Sequence, residues 1–281
     1  MSGFICPVCR LPLERGEHSY KCGKGHSFDI SAKGYVNLLL SKDMNAKLPG
    51  DNKMMVNARA DFLSKGYYLH LAEEMSRAVT EKFSGGLILD AGCGEGYYTE
   101  KIYRSVRKKT DNVKLCAVDI SKFACASAAR RFKGDENCET AAASVFHIPM
   151  ADGSADVLVT MFAPFCREEY LRVLKKNGSL IMAIPGENHL FSLKEAIYDK
   201  PYKNETADYE IEGLEFTESR KISRKIFIDN NDDIKSLFSM TPYYYKTGVE
   251  GHQRVNALES LETEAEFEVL IYRKGNDANG S

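Results

Sequence analysis

The stretch "GGLILDAGCGEGYYTEKIYRSV", residues 85–106, runs from an apolar strand into a glycine turn and out into a helix. Its apolar run "LILD" ends on Asp90, glycines follow at 92, 94 and 96, and a helical pattern begins at once. A buried parallel strand that enters such a turn delivers its ligand to a helix N-terminus, and Gly92 and Gly94 allow backbone to approach that ligand closely. Alone, the pattern is compatible with NAD, FAD, S-adenosylmethionine or a mere tight turn.

The neighbouring segments narrow the choice. "KLCAVDIS", 114–121, is a second strand ending on Asp119, where an acid accepts both ribose hydroxyls of an adenosine. A helix over 121–133, a strand near 138–143, and the apolar runs within 143–164 and 174–186 continue the alternation, which predicts an open, mostly parallel α/β sheet with ligands at the carboxyl edge. Glu95 stands beside the place a pyrophosphate would occupy. A carboxylate there repels phosphate but tolerates a sulfonium cofactor with an ammonium group, so S-adenosylmethionine and methyl transfer are the preferred reading.

Upstream, "FICPVCRLPLERGEHSYKCGKGH", 4–26, holds a C-x2-C pair, twelve residues, then C-x3-H. Cys6, Cys9, Cys22 and His26 make a complete tetrahedral set for a structural zinc, with no position left for water or substrate. A redox C-x-x-C would need a βαβ pattern around Cys6 and Cys9, which is missing; four unrelated residues are the remaining alternative. The other five cysteines, at 93, 116, 125, 138 and 166, sit singly in apolar or helical surroundings and read as packing.

The 281 residues are 43% hydrophobic and 28% charged, ordinary for a globular chain. The start lacks the basic and apolar regions of a signal peptide, and no apolar run approaches membrane-spanning length, so a cytoplasmic protein without a membrane partner is expected. Residues 1–60 carry nine Lys and Arg against five Asp and Glu, a net +4, which leaves −6 for the rest. A basic face of this size is weak evidence for nucleic acid by itself. The expected organisation is a zinc-binding module over 1–38, a linker and helices over 39–84, a cofactor domain over 85–273 and a flexible tail over 274–281. Within it, residues 39–57 read as linker, 58–83 as helix broken near Gly66, and 215–228 and 264–274 as two late strands.

With these pieces placed, the chain resembles the bacterial 23S ribosomal RNA guanine-N1 methyltransferases of the RlmA type. The matching motifs are "CPVC", "YKCGKGHSFD", "KGYVNLL", "PGDNKMM", "LDAGCGEGYYT", "VDISK", "FAP", "PGENHL" and "MTP". The resemblance implies a class I, Rossmann-like methyltransferase with a seven-stranded, mostly parallel sheet and a zinc-ribbon-like module that recognises RNA. It also implies a homodimer in many members. Cofactor residues carried over on the matching positions are Tyr68, Gly94, Glu95 and His189, beside Asp90, Gly92 and Asp119 from the physical reading. Tyr68 could equally be a helix-packing aromatic, and His189 a helix-start residue after Pro-Gly. The family pattern has Tyr-Ala-Pro where this chain has Phe162, Ala163 and Pro164, so a hydroxyl is missing there.

The reaction implied is transfer of a methyl group to N1 of a guanine in a hairpin loop of 23S rRNA. N1 is protonated near neutrality, and Asp51 in the "PGD" loop is the candidate base, against a role in capping or shaping that loop. Tyr97, Tyr98 and Phe165 could stack on the exposed guanine or belong to the core. A small-molecule methyltransferase, or a non-catalytic zinc-ribbon RNA-binding protein, are the rival readings.

Overall fold

A computed structural model describes residues 2–40, 50–205 and 209–275. Its first strands, β1 (Leu13–Arg15), β2 (Ser19–Cys22) and β3 (Ser27–Asp29), form a small antiparallel sheet, and β4 (Val36–Asn37) follows. Two helices come next, α1 (Lys53–Ser64) and α2 (Leu69–Lys82). The alternating stretch then runs β5 (Gly86–Ala91), α3 (Tyr97–Arg107), β6 (Val113–Asp119), α4 (Lys122–Arg131), β7 (Cys138–Ala142) and β8 (Ala155–Met161). It continues with α5 (Arg167–Val173), β9 (Leu174–Pro185) and α6 (Phe191–Ile197). The last part holds β10 (Leu214–Ile228), α7 (Asn231–Ser239), α8 (Tyr243–Lys246), α9 (Val249–Ala257) and β11 (Leu261–Lys274).

The large sheet has the order β10-β11-β9-β8-β5-β6-β7-β4, parallel from β4 through to β9 and antiparallel across β9, β11 and β10. It has eight strands where the sequence led us to expect seven. The extra one is β4: Val36 and Asn37 pair with Ala141 and Ala142, and Leu38 donates its N–H to the Ala142 carbonyl at 2.9 Å. A two-residue strand carries too little alternation to be read as sheet, and its partner lies a hundred residues away.

Both faces of the sheet are covered, which is why its strands read as continuous apolar runs. Ile88, Val157 and Val159 face a core shared with α2, α3 and the late helices. Their neighbours Leu89, Ala91 and Leu158 face the other side. There they join Phe4, Leu13, Tyr20, Val36 and Leu38 of the N-terminal segment in one cluster. Burying a side chain such as Phe4 or Leu13 stabilises by about 1.5–3 kcal/mol each, so the small sheet is fastened by the large one as well as by any metal.

Helix limits follow local chemistry. The side chain of Asn52 caps α1 by accepting the Met55 N–H at 3.0 Å, so the helix begins inside the stretch read as linker. Gly66, at φ 84°, breaks the run between α1 and α2 where the sequence placed a break. The centre of the expected linker, 41–49, and the tail from 276 lie outside the described residues. Among the described residues no helix is long and apolar enough to cross a membrane.

One buried carboxylate joins the two sheets. Glu139 on β7 accepts the Gly3 N–H at 2.6 Å through one oxygen and the Tyr20 hydroxyl at 2.9 Å through the other, and the Ile5 N–H donates to the Pro149 carbonyl at 2.8 Å. Replacing Glu139 by Ala strands both donors, and the expected loss is about 2–3 kcal/mol of stability. Urea unfolding should show a single transition in the parent chain and a lower midpoint in the variant. An unchanged midpoint, or a separate early transition for the N-terminal segment in the parent chain, would contradict the shared core.

Candidate active site and metal centre

The metal centre is assembled by two tight turns. The Cys6 N–H donates to the Leu11 carbonyl and the Arg10 N–H to the Cys6 carbonyl, both at 2.8 Å, with Arg10 at φ 60°. On the other side the Cys22 N–H donates to the His26 carbonyl at 3.1 Å, and Gly25, at φ 84°, closes the knuckle. The four ligand atoms of Cys6, Cys9, Cys22 and His26 lie within 4.8 Å of one another. His26 Nδ1 is 3.5 Å from Cys6 Sγ and 3.3 Å from Cys22 Sγ, and the Cys9 and Cys22 sulfurs are 3.6 Å apart. Tetrahedral zinc bonds of about 2.0–2.3 Å put neighbouring ligand atoms roughly 3.5–3.7 Å apart, so the set fits the ion with little adjustment. Burial alone would push the Cys22 thiol up; the amides of Lys24 and His26, with Cys9 and His26 beside it, bring it down to about 6, toward the thiolate a metal needs. The remaining five cysteines are buried.

At the carboxyl edge of the parallel strands, Asp119 terminates β6. One of its oxygens accepts the Gly94 N–H at 2.9 Å and the other the Ser121 N–H at 2.8 Å. Each oxygen keeps a lone pair, which is what a ribose diol requires. Burial pushes this carboxyl above its ordinary range, against the two amides that favour its charge. At Gly94, φ 56°, a Cβ would meet the Arg59 guanidinium at an ordinary contact distance of 3.8 Å. Gly92, at φ 90°, is closed instead: a Cβ there would lie 2.4 Å from the Cβ of Ala163.

Asp90, near the end of β5, accepts the Thr99 hydroxyl at 2.6 Å through Oδ2, while Oδ1 is buried without a partner among the described residues. Burial lifts its carboxyl to about 7, partly offset by Thr99 and reinforced by Asp119. Among the described residues, the hydroxyls of Tyr68 and Tyr98 and the Nδ1 atoms of His70 and His189 are also buried with no hydrogen-bond partner. Tyr68 and His189 both pack on Phe267, with ring centroids at 4.9 and 4.5 Å, and Tyr98 lies within electrostatic reach of Tyr68 and Arg59. Burial and the Lys194 charge push the His189 imidazole down to about 3, so it is neutral at physiological pH and can donate or accept. Buried polar atoms without partners are uncommon in folded chains. The Asp90 oxygen stands directly before the glycine turn, and unpartnered polar atoms of this kind fit a cofactor that has an ammonium, a carboxylate and an adenosine.

Two expected residues are engaged with the protein itself. Glu95 is buried, with one oxygen accepting the Tyr97 N–H at 3.1 Å and the other paired with Arg131, which also donates to the Glu95 carbonyl at 2.9 Å and to Glu100 at 2.8 Å. Its charge is therefore compensated, and it secures the turn to α3 and α4. Asp51 lies in the site through its backbone, whose carbonyl accepts the Ser121 hydroxyl at 2.6 Å, while its carboxylate pairs with Arg59. Arg59 and Arg131 escaped sequence reading; neither sits in a motif, and only the pairing of α1 and α4 with the glycine turn brings them in.

Replacing Asp119 by Ala removes charge-assisted acceptors and should weaken S-adenosylmethionine binding by about 1.5–3 kcal/mol, with the fold retained. Calorimetric titration checks this. An unchanged dissociation constant would show that the strand acid does not hold the ribose.

Comparison with known proteins agrees with this geometry. Residues 4–46 match the zinc-ribbon family described as RlmA, N-terminal, and residues 88–178 match a methyltransferase domain family. A protein of Micromonospora griseorubida, provisionally named a 23S rRNA (guanine-N(1)-)-methyltransferase, is 34% identical over 209 residues, covering 67% of each chain. YxjB of Bacillus subtilis, which carries the same provisional name, is 26% identical over 287 residues, covering 97% of this chain and 98% of its own. The crystal structure of YcgJ from B. subtilis superposes with a TM-score of 0.54 at 15% identity, over 74% of this chain and all of that one. A zinc-ribbon match and a methyltransferase-domain match thus stand on one chain, and with these relatives the chain belongs to the family of 23S rRNA (guanine-N1)-methyltransferases.

Proposed function

We propose that the protein transfers the methyl group of S-adenosylmethionine to N1 of a guanine in a hairpin loop of 23S rRNA. The observation that carries this reading is the union, on one sheet, of the cofactor edge built on Asp119 and Gly94 with the metal-stapled segment. Bound at that edge, the cofactor supplies an already activated methyl carbon on sulfonium sulfur. The chain's contribution is then to hold and align. Asp119 and the Gly94 backbone hold the adenosine end, and the unpartnered atoms of Asp90, Tyr68, Tyr98 and His189 are available to the amino-acid end. Alignment and exclusion of water supply most of the catalysis in such a displacement.

N1 lies on the Watson–Crick edge, so the guanine must come from a loop or be turned out of its helix. It must also lose a proton. Asp51 is the candidate acceptor, acting from within its ion pair, and Arg59 is then placed to stabilise the charge that develops on the base. The zinc is structural in this scheme and takes no part in the reaction.

Electrostatics favours a polyanion over a small metabolite. An open groove of about 520 Å³ runs between the N-terminal segment and the corner joining α4 to β7, lined among others by Arg15, Lys33, Arg130 and Lys133 with Asp135 and Glu136. None of those four cations forms an ion pair among the described residues, whereas most other arginines do. Phosphates of an RNA stem complement such a surface.

Incubation of 23S rRNA transcribed in vitro with the protein and labelled cofactor should yield 1-methylguanosine on hydrolysis. Reverse transcription should halt one nucleotide before the site, because the methyl group blocks pairing. Label recovered in 2-methylguanosine or 7-methylguanosine, or in no nucleoside, would overturn the assignment.

A further inference from the structure

Directly after β8 the chain makes a turn that the cofactor chemistry does not explain. Phe162 sits at φ 55°, in the left-handed region that bulky L-residues avoid at a cost of about 1–2 kcal/mol. The residue is 52% exposed. The same turn presents Phe165, 39% exposed. Core packing accounts for neither.

The turn is held rigidly. Ala163 is wedged against Gly92, the Thr160 hydroxyl donates to the Ala91 carbonyl at 3.0 Å, and the Tyr170 hydroxyl donates to the Pro164 carbonyl at 3.2 Å. Each exposed ring has a buried aromatic behind it. Phe162 leans on Phe267 at 5.8 Å, the ring that also packs Tyr68 and His189, and Phe165 meets Tyr170 edge-on at 5.2 Å. Two apolar faces are therefore presented to solvent on either side of Ala163 and Pro164, at the rim of the glycine turn, by a backbone kept in a costly conformation. Strain retained beside a site is a pointer to use.

From this geometry we propose that Phe162 and Phe165 form a stacking site for the purine that receives the methyl group. The proposal rests on the reading of the preceding section and names the surface that holds the substrate base. A phenyl ring offers no hydrogen bond, so the ligand is selected by its flat π face, and base-on-aromatic stacking serves a splayed nucleobase well. Stacking engages the faces of the ring and leaves its Watson–Crick edge free to meet the methyl carbon. The hydroxyl missing at position 162 is then immaterial, since the contact is made by the face.

The chain contains no tryptophan, so Phe162→Trp introduces a single indole reporter at the site. Its fluorescence should be quenched by a short single-stranded RNA containing guanosine, with S-adenosylhomocysteine present, and not by the same RNA carrying abasic sites in place of guanosine. Phe162→Leu should lower kcat/KM for 23S rRNA about 10- to 100-fold while the S-adenosylhomocysteine dissociation constant stays within about twofold. Phe227→Leu, at a side chain 61% exposed on β10, serves as the surface control. Equal quenching by both RNAs, no quenching, or full activity in Phe162→Leu would overturn the stacking site. Absence of 1-methylguanosine with the parent protein would overturn the ribosomal RNA reading instead, and quenching by the guanosine RNA would still mark a base-binding surface.

Discussion

A side chain at position 92 has no place to go. Its Cβ would stand 2.4 Å from that of Ala163, and the backbone there runs at φ 90°. This contact brings the end of β5 and the end of β8 together at backbone distance, and the rest of the site is arranged around it. On one side lie Gly94 and Asp119, joined by the Gly94 N–H and proposed to hold the adenosine. On the other lie Phe162 and the aromatic row of Phe267, Tyr68 and His189. A pair of neighbouring strands thus carries the proposed cofactor holder and the proposed substrate surface on one rim, which suits a reaction whose barrier is lowered chiefly by alignment.

The metal-bearing segment supports that rim from the edge of the sheet. β4 extends the large sheet beside β7, and Glu139 on β7 satisfies Gly3 and Tyr20. From the end of β7 the Ala143 N–H donates to the Asp119 carbonyl at 2.9 Å. One strand, β7, therefore lies between the metal-bearing segment and Asp119. The same junction creates the basic groove, whose cations come from both parts of the chain.

Much of this was legible in the residues. The run into Asp90, the glycine turn and the acid of β6 specify their own strands because a strand buried on both faces has to be apolar throughout. The C-x2-C and C-x3-H pairs identify a metal centre because ligand geometry leaves few spacings. What was not legible depends on distant pairing. β4 is two residues long and acquires its identity from Ala141 and Ala142. Arg131 meets Glu95 only when α4 packs beside the turn, so the carboxylate read as facing a cofactor is compensated from within. Asp51 shows the same effect through Arg59. The left-handed conformation of Phe162 leaves no mark in composition or periodicity, since any periodic reading of "TMFAP" treats it as the end of a strand.

The close approach of Gly92 and Ala163 can be tested by itself. S-adenosylhomocysteine is titrated calorimetrically into the parent chain, into Gly92→Ala, and into Gly92→Ala combined with Ala163→Gly, with near-ultraviolet circular dichroism to verify folding. If the contact governs the site, the single variant binds at least about tenfold more weakly, a difference of 1.4 kcal/mol, and the double variant recovers part of that loss. Recovery is partial because the backbone strain at φ 90° persists. Parent affinity in Gly92→Ala, or no recovery in the double variant, would contradict the account.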